Sequence, residues 1–173
     1  MILQVVPSFK PSWDTGGAAR VAYEISKKLT NRGHNVTVYT TDGLRVRLNV
    51  EKNSAVDVDG IRTYYFRNLC SFLSKINLPL PYYLPLIARK EMGNFDIIHI
   101  HGYRTTLTAI TSYYAKKYGI PYILQAHGSL ITYLQKGAVK KIFDKLWGYR
   151  ILRDAAKVIA VTQTEAEQYK SMG

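Results

Sequence analysis

Ile97-Ile98-His99-Ile100-His101-Gly102 decides the fold. A short apolar run, broken only by histidines two apart and closed by glycine, is the pattern of a strand covered on both faces, as strands in parallel sheets are. Ile123-Leu124-Gln125-Ala126-His127-Gly128 repeats it, again an apolar strand ending in His-Gly. Residues 2–6 form a third such run. It leads through a loop rich in Pro, Ser and Gly into a predicted helix over 17–32, where Val21, Ala22, Ile25 and Leu29 recur at helical spacing and Gly33 stands at the end. The alternation continues with strands at 35–40, 96–101, 121–126 and 157–161 and helices at 104–118 and 137–153. The class is therefore α/β, a Rossmann-like parallel sheet flanked by helices. Between the strands at 35–40 and 96–101, 44–50 alternates, and 55–58 and 61–66 flank the turn dipeptide Asp59-Gly60, so an antiparallel hairpin insertion is expected near 44–66. Thr162-Gln163-Thr164-Glu165 reads as a helix-capping box.

The chain has 173 residues, 47% of them hydrophobic, enough for one domain with a buried core. Its net charge is +12. No Asp or Glu occurs from 60 to 90 or from 97 to 143, which argues against a hydrolase built on paired carboxylates. The single cysteine, Cys70, permits neither an internal disulfide nor a cysteine zinc cage and fits a reducing, cytoplasmic setting. Neither a leader segment nor a spanning helix is expected, because Pro7 follows the first apolar run at once and the most apolar stretch, 78–88, is broken by Pro79, Pro81 and Pro85. P-loop, H-E-x-x-H and G-x-S-x-G motifs are absent.

Ligands of open parallel sheets bind beyond the C-terminal ends of the strands, where strand order reverses. Gly16 and Gly17 follow the first strand and open a helix whose N–H groups and dipole suit a phosphate. A plain turn explains two glycines equally well. His101 and His127 end their strands, where an imidazole can meet a sugar hydroxyl or a developing charge and the next glycine admits close backbone approach. His99 is expected to be a core histidine with its polar atoms satisfied, and His34, at the other end of a strand, has no assigned role. Asp57-Val58-Asp59 has the spacing of a metal-binding acid pair, but it runs into a hairpin turn, so no metal is expected.

Taken in order, Gly16 to Val21, Leu29 to Val38, Asp96 to His101, Pro121 to His127 and Ala155 to Thr162 resemble the N-terminal half of a GT-B glycosyltransferase of the large retaining family 4. The resemblance covers nearly the whole chain. It implies that 1–173 is the acceptor-binding domain, that the donor-binding C-terminal domain with its paired glutamates is absent, and that the piece alone is inactive. It implies further that Gly16, Gly17 and Arg20 meet the donor diphosphate, that His127 is catalytic against the transferred sugar, and that His101, Arg104 and Trp13 line the acceptor side. No cofactor or metal is implied, the nucleotide-sugar being a substrate, and a glycan or lipid-linked acceptor is the expected partner.

Residues 136–153 hold Lys136, Lys140, Lys141, Lys145, Arg150 and Arg153 against Asp144 alone, with Val139, Ile142, Phe143, Leu146 and Ile151 at helical spacing. Such a helix can lie on an anionic membrane. The plainer reading, in which its apolar face packs on the sheet and its charges are solvated, is preferred. Two rival classes stand beside the transferase: a basic nucleic-acid-binding domain, for which no recognition motif is present, and a Rossmann-like nucleotide-binding domain, for which the full glycine fingerprint is missing. No nucleic-acid partner is therefore expected, and the chain is expected to be a monomer.

Overall fold

The computed structural model describes residues 1–69, 79–130 and 137–172. Cys70, Leu78, Lys136 and Gly173 lie outside them, and in the helix that starts at Gly137 the described side chains begin at Lys140. Seven strands form one sheet: β1 (Ile2–Val5), β2 (Val36–Thr41), β3 (Ala55–Val58), β4 (Ile61–Phe66), β5 (Ile97–His101), β6 (Tyr122–Gln125) and β7 (Lys157–Ile159). Their order is β3-β4-β2-β1-β5-β6-β7, and every neighbouring pair is parallel except β3 with β4. The chain runs outward from β1 on one side, returns, and runs outward on the other, so strand order reverses beside β1 and β5.

The helices are α1 (Gly17–Asn31), α2 (Leu84–Glu91), α3 (Thr106–Tyr118), α4 (Gly137–Phe143), α5 (Tyr149–Arg153) and α6 (Gln163–Ser171). A π-helical turn, Asp144–Gly148, joins α4 to α5, so the predicted helix over 137–153 is continuous but underwound in its middle. Alternation along the strands gives two cores. Leu3, Val5, Ile98, Ile100 and Leu124 pack with Leu84, Leu107, Phe143 and Ile151 on one side, and Val6, Val36, Val38 and Ile61 pack with Phe9 and Ala22 on the other. The face that α1 buries is Ala19, Ala22 and Ser26, with Leu29 partly covered, whereas Val21, read as inward-facing, is exposed.

The hairpin is present and is integral to the sheet: β4 pairs parallel with β2, and β3 hangs antiparallel on its outer edge. Asp59 and Gly60 both have positive φ, 54° and 82°, the conformation of a two-residue turn that matches strand twist. Asp59 also accepts hydrogen bonds from Lys10 Nζ at 2.7 Å and Tyr23 Oη at 2.5 Å, tying the hairpin to the loop after β1 and to α1. Residues 44–50, expected as a strand, form a loop. Its backbone bonds go elsewhere: Leu44 and Arg45 N–H to Asp14 Oδ2, and Leu48 N–H to the Asp42 carbonyl.

Gly43 is the tightest point of that loop. Its φ is +107°, and a Cβ there would sit 2.1 Å from the Val46 carbonyl oxygen. At Gly119, φ is +70° with nothing within 4 Å. Gly43→Ala should therefore cost about 3 kcal/mol or more, against about 1–2 kcal/mol for Gly119→Ala, where only the left-handed backbone is penalised. Urea denaturation of the two variants checks the ordering, which equal costs would contradict.

Candidate functional site

Parallel strands present all their C-terminal turns at one edge, and three adjacent strands carry the residues singled out from the sequence. β1 leads into the loop ending at Gly16 and Gly17, β5 ends at His101-Gly102, and β6 leads to His127-Gly128. Ser8 Oγ holds the first loop by accepting from Thr15 N–H at 3.0 Å, and Thr41 Oγ1 donates to the Pro7 carbonyl at 2.7 Å. Gly16 has φ +56°, a conformation that favours glycine. Its N–H donates to the Trp13 carbonyl at 2.8 Å and so is committed within the loop. The N–H groups of this turn left without a helical partner are therefore those of Gly17, Ala18 and Ala19, ahead of the first helical bond, from Arg20 N–H to the Gly16 carbonyl at 3.3 Å. A Cβ at Gly16, Gly17 or Gly128 would meet nothing within 4 Å, so the space above these turns is open.

Arg20 projects from the first turn of α1, with its guanidinium 5.2 Å from the centre of the Trp13 ring, and Trp13 meets Tyr23 edge-on at 5.7 Å. Arg20 and Trp13, assigned to opposite substrates from the sequence, are thus one stacked unit beside the glycine turn.

Register puts Gln4 beside His99, and His101 beside Gln125, so these four polar side chains share one face of an otherwise apolar sheet. The Gln4 carboxamide oxygen accepts from His101 Nε2 at 2.8 Å. Burial holds the His101 pKa well below the ordinary histidine value, with the neighbouring His99 and His127 adding to the effect, so the ring is neutral and its Nδ1 is a bare acceptor. His127 Nε2 lies 2.9 Å from that Nδ1 and must supply the proton. The His127 pKa is also lowered by burial, so the remaining nitrogen of a neutral His127, Nδ1, carries a lone pair. Gln4 thereby sets the tautomer of a half-buried histidine two strands away.

His127 has φ +52°, a rare conformation for a side chain of this size, and the turn around it is pinned. Gly128 N–H donates to Glu165 Oε1 at 2.6 Å, and Ser129 Oγ donates to the Ala126 carbonyl at 2.6 Å. Glu165 sits where the capping box was read, its N–H donating to Thr162 Oγ1 at 3.1 Å, but its other oxygen accepts from Val161 N–H at 2.7 Å. Gln4 and Glu165 are the contributors that sequence reasoning missed. The one available signal was a lone polar residue inside the apolar run of β1.

Two residues expected on the acceptor side face inward. His101 is 1% exposed with both ring nitrogens bonded inside the protein, so it lies beneath His127 rather than in the crevice. Arg104 forms a bidentate pair with Asp144, at 2.9 and 2.7 Å, and donates to the Ser129 and Leu130 carbonyls, which commits its guanidinium to holding the chain after β6. His99 is buried as expected, but it is not satisfied: among the described residues its Nε2 has no partner. Among the described residues no group of three or more His, Cys, Asp or Glu is arranged to hold a metal ion, and no helix is long and apolar enough to cross a membrane.

The chain from residue 15 to residue 173 matches the family model of Glycosyltransferase Family 4. No curated protein matches it in sequence. Among solved structures, HepE of Anabaena in complex with UDP-glucose aligns with a TM-score of 0.58 at 17% identity, covering 99% of this chain and 40% of that one. The same protein with UDP and glucose gives 0.63 at 16% identity, covering 99% and 41%. Sucrose-phosphate synthase from Thermosynechococcus elongatus gives 0.61 at 12% identity, covering 98% and 44%. At these identities the likeness is one of fold, and the chain spans 40 to 44% of the length of these structures.

The histidine cluster makes stability depend on pH. Burial pushes the His99 pKa down to about 4 from 6.5, and those of His101 and His127 shift the same way. Between those values the unfolded chain binds protons that the folded chain refuses, so acid favours unfolding. Stability should be level above about pH 6.5 and fall as pH drops toward 4, with His99 alone contributing a loss of about 2 kcal/mol by pH 5. Denaturation midpoints that coincide at pH 7 and pH 5 would contradict this.

Proposed function

The chain belongs to Glycosyltransferase Family 4, and from that premise we propose that it is the acceptor-side half of a two-domain enzyme. The reaction moves a sugar from a nucleoside diphosphate to a hydroxyl of a glycan or lipid-linked acceptor with retained anomeric configuration. The bond between the anomeric carbon and the diphosphate breaks, a bond to the acceptor oxygen forms, and the acceptor proton leaves with the diphosphate. The observation that carries the reading is the convergence of the glycine turn and the His127 turn at the strand-order reversal of a chain in this family.

Each turn has a task in this scheme. The free N–H groups from Gly17 onward, together with Arg20 held against Trp13, offset charge on the departing diphosphate. His127 presents Nδ1 as an acceptor to a hydroxyl of the transferred sugar, and the Gln4–His101 pair keeps it in that tautomer. No step requires a metal. The donor is a nucleotide-sugar held mainly by a second half; HepE, a structural neighbour, binds UDP-glucose, which makes UDP-sugars the first donors to try.

The 173-residue chain incubated alone with a UDP-sugar and glycan acceptors should transfer no sugar, and transfer at enzymatic rates would overturn the half-enzyme reading. In a protein carrying both halves, His127→Ala should lower kcat by about a hundredfold or more, a larger effect than its cost in folding stability. Unchanged kcat would leave His127 with a structural role only.

A further inference from the structure

The basic helical segment does not bury its whole apolar content. Phe143 and Ile151 pack inward, but Ile142 is 59% exposed, Leu146 50%, Trp147 48% and Tyr149 55%. Ile142, Leu146 and Tyr149 follow one another at four- and three-residue steps, an outward apolar stripe flanked by the exposed Lys141 and Lys145. Beside it, between α3 and α4–α5, runs an open groove of about 1250 Å³ lined by Ile110, Tyr113, Tyr114, Phe143, Trp147 and Ile151. That exceeds the roughly 300–1,000 Å³ of ordinary small-ligand pockets. Lys116, Lys117, Arg150 and Arg153 also line it. The acid among its described lining residues, Asp154, is already paired with Lys116 at 2.7 Å and Arg153 at 3.0 Å. Lys141, Lys145 and Arg150 form no ion pair among the described residues.

We propose that this outer face, formed by α3, α4 and α5, docks on an anionic lipid bilayer. Cations with so little acid around them call for a polyanionic surface, and the exposed stripe of Ile142, Leu146 and Tyr149 calls for an apolar medium at the same level. An anionic bilayer supplies both, whereas a nucleic acid answers the charge but offers the aliphatic side chains nothing. Lys141, Lys145 and Arg150 meet lipid phosphates, Ile142 and Leu146 enter the acyl boundary, and Trp147 and Tyr149 sit at headgroup depth, where amphipathic rings are favoured. The face belongs to the helix layer across the sheet from α1 and does not depend on which reaction the strand-end crevice performs.

Vesicle flotation of the 173-residue chain at about 0.15 M salt tests this. The chain should float with vesicles in which about a third of the phosphatidylcholine is replaced by phosphatidylglycerol, and should not float with phosphatidylcholine alone. Lys141→Ser combined with Lys145→Ser should weaken binding about twenty- to thirtyfold, taking about 1 kcal/mol per lysine near a charged surface. Ile142→Ser combined with Leu146→Ser should weaken it about tenfold or more. All four side chains are exposed, and circular dichroism verifies that both variants fold. Lys28→Ser combined with Arg32→Ser, at the C-terminal end of α1, removes the same charge from the opposite layer and should leave binding unchanged. Equal binding to neutral vesicles, equal loss in the α1 variant, or indifference to the Ile142 and Leu146 changes would overturn the proposal. So would displacement of the vesicles by an oligonucleotide at the same ionic strength, which would assign the face to nucleic acid.

Discussion

Parallel strands cannot be joined by a tight turn, so each connection leaves one edge of the sheet and runs back over a face to the opposite edge, where the preceding strand began. Everything assigned to the crevice depends on this. β1, β5 and β6 are neighbours, all point one way, and hand their C-terminal turns to one edge. The glycine turn is more than eighty positions from the His101 turn in sequence, and no local interaction could bring them together. The backbone ladder does so, with an apolar core packed against each face of the sheet.

The same ladder has a cost. Gln4, His99, His101 and Gln125 occupy one face where apolar residues would pack without penalty, and one of their buried polar atoms, His99 Nε2, finds no partner among the described residues. Low local polarity strengthens the bonds that do form, so a carboxamide in β1 can fix a proton on a ring carried by β5 and, through it, a second ring after β6. Histidines selected for stability alone would be replaced by apolar residues. Their presence in a buried file marks the place where local rules of sequence consistency give way to site chemistry.

Much of the architecture was legible because it is periodic. The apolar runs, the His-Gly endings, the glycine after β1 and the Asp59-Gly60 turn each state a local geometry that the structure keeps. What escaped was decided by distant partners. Residues 44–50 alternate like a strand, yet their N–H groups are taken by Asp14 and Asp42. α2 was hidden by its prolines, although Pro85 stands in the first turn of that helix, where a missing N–H costs nothing. Arg104 carries a charge that looks available on paper, and only the fold reveals Asp144, forty residues on, closing over it.

Glu165 makes one carboxylate serve two chain segments. Each oxygen accepts from a different backbone N–H, Gly128 on the His127 turn and Val161 ahead of α6. A carboxylate is the one common side-chain head with two equivalent acceptors and no donor. A glutamine of the same shape would turn an NH₂ toward one of those N–H groups and hold only a single segment, while an aspartate is one methylene too short to keep both reaches. The spacing between α6 and the His127 turn is therefore set by a symmetric oxygen fork, a gauge that neither of glutamate's nearest chemical relatives can reproduce.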